Sequence, residues 1–210
     1  MQKILVGLVM IFGCGVLACA DIPKIPKSEL SAIQKLVTQH KAEPANDKVA
    51  FDLAIKFASL GFIEEGWAVL KKVSPNYAVE VVKTYESLQK STPNKWEYPF
   101  KLGFAYYFLD EDKKDFTRSL TAFNRVLEIK PDHVWTMGFI ALLEGMSGRQ
   151  KIAIKWCEKA LAIEPNAMAI HALLALGYQK EGKLLKAVSH GLIVGRLKSE
   201  YALSGYEFDL

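Results

Sequence analysis

Two stretches decide how this chain folds: Ser119–Asp132, SLTAFNRVLEIKPD, and Ala153–Asn166, AIKWCEKALAIEPN. Each reads as a helix that closes on Leu-x-Ile-x-Pro followed by Asp or Asn. Proline cannot continue a helix interior, so both helices stop at the same point of the pattern. The two prolines, Pro131 and Pro165, repeat at a 34-residue spacing. A unit of that length accommodates two antiparallel helices and their turns.

Working outward, the same roles recur in register. From Met168 they fall to Leu174, Ala175, Tyr178, Gly182 and Ala187, and from Val134 to Ile140, Ala141, Gly148, Ala153, Cys157, Ala160 and Pro165. From Trp96 they fall to Leu102, Gly103, Tyr106, Ser119, Phe123, Val126 and Pro131, with extra residues in the turn at Asp110–Asp115 (DEDKKD). In this pattern large residues fill the space between turns, and small ones let paired helices approach closely. The pattern resembles the tetratricopeptide repeat over residues 96–199, with Glu144 standing where the family usually has an aromatic. The resemblance implies an all-α, right-handed superhelical solenoid of antiparallel helix pairs, about nine or ten helices in all.

Upstream the match weakens. Residues 47–75 read as one degenerate repeat in which Leu53, Ala54, Phe57, Gly61 and Gly66 take the signature roles and the second helix is shortened. Asn76–Lys90 reads as an additional helix that breaks the alternation of pairs, and Ser28–Lys41 as a helix with Ser28 as its cap. The N-terminal helical region is therefore 28–95. At the other end, a helix from Lys183 to about Lys198 is followed by the tail at 200–210, a strip able to cap the array or fold back into its groove.

Residues 1–20 differ from the rest. Lys3 precedes an apolar run from Ile4 to Leu17 that is too short for a comfortable membrane span and ends in small residues, the marks of a secretory signal peptide. Ala18-Cys19-Ala20 fits cleavage before Asp21, while Val16-Leu17-Ala18-Cys19 resembles a lipobox that would lipidate Cys19. Pro23 and Pro26 make 21–27 an extended tether. The expected location is the periplasm or cell envelope, free or as a lipoprotein. Cys14 and Cys19 fall in the leader and Cys157 is the one cysteine beyond it, so stability rests on helix packing without disulfides.

Composition narrows the function classes. The chain is 50% hydrophobic and 24% charged, which is ordinary for a folded protein. Lys plus Arg number 27 against 23 for Asp plus Glu, and the excess is spread through mixed-sign helices, so no basic stripe speaks for nucleic acid. His40, His133, His171 and His190 show no metal-type spacing with one another. Asp110, Asp112 and Asp115 lack the glycine and closing glutamate of a calcium loop. Ser147 in Gly145-Met146-Ser147-Gly148 lacks a strand-turn-helix setting, and no phosphate-cradling loop occurs. Neither enzyme chemistry nor a cofactor or metal is expected.

The resemblance also implies where a partner would bind, because family members use the concave face formed by the first helix of each repeat. Applying that register gives Phe100, Phe104, Tyr107, Trp135, Leu142, Leu176 and Gln179 as groove residues, with Ala172 among them, Gly138 and Gly145 leaving space, and Phe51 and Ile55 added if the degenerate repeat joins the stack. These side chains would suit a helical or hydrophobic segment of another protein. The lysine, arginine and asparagine clamp that captures acidic chaperone tails is missing from those positions. Two other uses stay open: self-association as a structural envelope protein, and carriage of a lipid or hydrophobic glycan.

Overall fold

The computed structural model describes residues 25–110, 114–203, 208 and 210, with the side chains of 202 and 203 excepted. The leader, the tether up to residue 24 and Cys19 lie outside these residues. Among the described residues there are ten helices and no strand. They are α1 (Lys27–Ala42), α2 (Asp47–Leu60), α3 (Ile63–Leu70), α4 (Tyr77–Ser91), α5 (Glu97–Asp110), α6 (Thr117–Ile129), α7 (Val134–Met146), α8 (Gln150–Ile163), α9 (Met168–Lys180) and α10 (Leu184–Leu203). No described helix is long and apolar enough to cross a membrane.

The last six helices form three hairpins, α5–α6, α7–α8 and α9–α10, stacked into a solenoid. The small residues do what the repeat pattern requires. The ring of Phe123 lies so close to Gly103 that a methyl group there would overlap it, and Ser119 Oγ donates to the Gly103 carbonyl at 2.7 Å. Gly148 and Gly182, one repeat apart, both take the left-handed backbone that ends the first helix of a pair. At the heart of the stack Phe100, Phe104, Phe123 and Phe139 meet edge-to-face or stacked, with centroids 4.7–6.0 Å apart. Each such pair adds about 1 kcal/mol beyond simple burial.

The N-terminal region is built differently. Asn46 caps α2 by accepting from Val49 N at 3.2 Å, and α2 ends on Gly61 at φ 88°. α3 then makes only two turns before α4 starts afresh. α4 packs along α5, the place that the second helix of a regular preceding pair would hold, so α3 and α4 divide one role between them. Meanwhile α2 reaches past α5 to touch α7. Lys101 of α5 donates to Asp52 of α2 at 2.6 Å and to Tyr85 of α4 at 2.7 Å, tying the three helices together. Burial alone would depress the Lys101 ammonium, but those two bonds outweigh it and the net shift is upward.

Three sequence expectations need revision. Helix α1 starts at Lys27 with Pro26 in the cap position, so Ser28 lies inside the first turn and does not cap the helix. Helix α10 runs on to Leu203, absorbing Ser199 and the first residues assigned to a separate tail. Phe51 and Ile55 belong to the central apolar cluster with Phe57 and Phe100 and face no open groove. Further on, the Phe208 ring lies 5.0 Å from those of both Phe57 and Phe62.

Candidate functional site

The turn between α2 and α3 meets the solenoid at one point. Trp135, in the first turn of α7, lies flat over Gly61, where any side chain would collide with its indole. Beyond this joint the inner faces of α7, α9 and α10 stay apart from the α2–α3 turn. They enclose a cavity of about 600 Å³.

Its walls are mostly apolar. Trp135, Gly138, Phe139 and Leu142 come from α7; Met168, Ala172, Leu173 and Leu176 from α9; Val194 and Tyr201 from α10; Phe62 and Ile63 from the turn. Charged groups are confined to Glu64, Glu65 and Lys198, and Lys198 stands 3.9 Å from Glu64 across the opening. Leu142 and Leu176 remain exposed despite their size. A second cleft, about 740 Å³ between α4, α5 and α6, is more open, and its arginines are already engaged. Arg118 holds Asp110 through two bonds of 2.7 and 2.8 Å, and Arg125 holds Glu128 at 2.6 Å.

The residues read from sequence as groove-lining divide into three groups. Trp135, Leu142 and Leu176, with Ala172 and Gly138, come together in the cavity wall. Phe100 and Phe104 do not: at 1% and 6% exposure they are core, packed on Phe123 of α6 and Phe139 of α7 within a cluster that residues of α2 and α3 also join. Tyr107 is half-buried with its ring stacked on Phe116, and Gln179 is exposed outside the cavity lining. The sequence reading missed the contributions of the α2–α3 turn and of α10. The spacing Val194, Lys198, Tyr201 on one side of α10 was an available signal; the turn gave none, since its position depends on the Trp135–Gly61 contact.

Other reactive groups are accounted for by packing. Cys157 is buried against α7 and α9 neighbours, and burial, helped by Glu158, pushes its thiol up to about 12, so it carries no thiolate at neutral pH. His133 caps α7: its Nδ1 accepts from Thr136 N at 3.2 Å and lies 2.8 Å from Thr136 Oγ1, while its ring sits between Trp96 and Phe100. Burial, reinforced by Lys130, depresses it to about 4. His171 and His190, far apart in sequence, approach Nδ1 to Nδ1 at 2.8 Å between α9 and α10. His171 Nε2 lies 2.9 Å from the Pro165 carbonyl, which can only accept, so this nitrogen donates and His171 Nδ1 accepts the hydrogen bond from His190 Nδ1–H. Among the described residues no group of three His, Cys, Asp or Glu side chains could hold a metal ion.

Against solved structures, the chain is similar to the crystal structure of MamA, at 19% identity over 83% of this chain and 91% of that one, with a TM-score of 0.50. It is also similar to TTC0263, a thermophilic TPR protein of Thermus thermophilus, at 18% identity over 83% and 89% of the two chains, with a TM-score of 0.52. This is a tetratricopeptide-repeat fold. No protein-family model matches the sequence, and no curated protein matches it either. In this chain the α2–α3 turn meets the inner side of α7, α9 and α10, and the space left between them is the cavity described above.

Proposed function

We propose that this protein is a non-catalytic scaffold or assembly factor outside the cytoplasm, which holds an apolar segment of a partner protein in the cavity between the α2–α3 turn, α7, α9 and α10. The observation that carries this reading is the cavity wall, where Trp135, Leu142, Leu176 and Val194 offer apolar surface to solvent with charge only at the rim. Concave apolar sites framed by a few polar groups favour burial of a hydrophobic side-chain row, with the rim setting its orientation. The placement outside the cytoplasm rests on the leader-like pattern of residues 1–20. A crosslinking pull-down from the native envelope fraction tests both parts, with the intact mass of the recovered chain showing cleavage before Asp21 or lipidation at Cys19. The expected result is a specific protein partner that is lost in Leu142→Glu with Leu176→Glu while helical content is unchanged. Binding that survives these charges would refute the proposed site.

The cavity volume supports one competing reading. About 600 Å³ lies within the range occupied by small apolar ligands. Lipid recovered with the purified protein, and absent from the same double variant, would favour a carrier over a scaffold.

A further inference from the structure

Helix α10 has two faces of different fate. Ala187, His190, Val194 and Leu197 point inward to α9 and the cavity, and Leu197 is wholly buried. On the other side Leu185, Val188 and Leu192 are 89%, 61% and 72% exposed, with Leu184 beside them. Together with Gly195, residues 185, 188 and 192 follow the three–four spacing of a helix-packing seam.

The internal repeat shows what this face is for. One repeat earlier, the positions of Leu184, Val188 and Leu192 are held by Gln150, Ile154 and Glu158 of α8, and all three serve the next helix. Gln150 and Ile154 lie against Gly177 of α9, and Glu158 accepts from Tyr178 Oη at 2.7 Å. In α10 the same positions are all apolar and nothing described covers them. Phe208, described beyond the helix, packs on Phe57 and Phe62 and not on this face.

We propose that the outward face of α10 docks a second copy of this chain, the two α10 helices packing antiparallel about a two-fold axis at residue 190. The sequence is self-complementary in that arrangement. Leu185 of one copy falls opposite Gly195 of the other, and Val188 opposite Leu192, so each large residue meets a small or matching one on both sides of the axis. A methyl group built at Gly195 or at Gly191 meets nothing within 4 Å, so the space for a close approach is open. From Ala187 to Gly195 the helix carries no Asp, Glu, Lys or Arg, leaving the centre free of like-charge repulsion. A seam of about three turns falls below a standard interface, so the expected dimer is weak and reversible. This interface is separate from the cavity and does not depend on what the cavity binds.

Sedimentation velocity on the full chain from about 1 µM to about 100 µM tests it. The expected outcome is a mass climbing toward twice that of one chain, and a loss of at least about tenfold in affinity in Leu192→Glu. Gly195→Leu separates geometry from stickiness, because it enlarges the apolar face while filling the hole for the partner's Leu185. Its dimer should be lost with the circular dichroism spectrum unchanged. A monomer at the top of the range, an unaffected Leu192→Glu, or a Gly195→Leu that dimerises as well as the parent would each overturn the proposal.

Discussion

Residues 97–203 and residues 27–91 are both helical and both apolar on one side, yet they use their apolar surface in opposite ways. The C-terminal region repeats one hairpin three times, so each helix is covered by the next in the chain. In the N-terminal region the second helix is interrupted between Leu70 and Tyr77, and the hairpin cannot continue the stack. Helix α2 instead touches α7 and is tied to α5 through Asp52 and Lys101, and α3 stacks Trp67 on Phe108 of α5, covering part of a face that an unbroken array would present to solvent. An insertion of a few residues in one helix thus moves a repeat from extending the groove to roofing it.

The largest effect expected on this arrangement comes from Phe104→Ala. As a core residue shared by both regions it should cost about 4 kcal/mol in denaturant unfolding, whereas a groove residue would cost well under 1. Gly61→Ala comes next. It adds a side chain at φ 88° and pushes against Trp135, and should cost about 3 kcal/mol while leaving the helices of residues 97–203 intact by hydrogen exchange.

Acid should act through His133. Its folded value is depressed to about 4 from an ordinary 6.5, so its contribution is complete above pH 6.5 and lost as pH falls toward 4. Stability measured at pH 7 and pH 4 should differ by roughly 3 kcal/mol from this group, and His133→Asn, which keeps a capping side chain, should flatten that part of the profile. Smallest is Lys101→Met. It unties α2 and α4 from α5 in a partly buried setting and should cost about 1 kcal/mol, with faster hydrogen exchange confined to α2 and α4.

The difference between the regions also explains what the sequence made readable. Pro131, Pro165, Gly148 and Gly182 mark turns by local backbone chemistry, so the three regular hairpins followed from spacing alone. The register likewise placed Trp135, Leu142 and Leu176 on a common inner face. It failed at Phe100 and Phe104 because their rings are taken up by Phe123 and Phe139 in a cluster that residues of α2 and α3, far away in the chain, also join. Nor could spacing foretell the approach of His171 to His190, which arises from the angle at which α10 crosses α9.

The seating of Trp135 on Gly61 has a consequence for how the protein comes to be folded. A linear repeat array contains only neighbour contacts, and it can nucleate anywhere and fray from either end. Joining residues 61 and 135 closes the chain into a loop that skips a whole hairpin, which raises the mean sequence separation of its contacts. The expected outcome is slower, more all-or-none folding than three bare hairpins would show, with the N-terminal segment arriving last and locking the array shut.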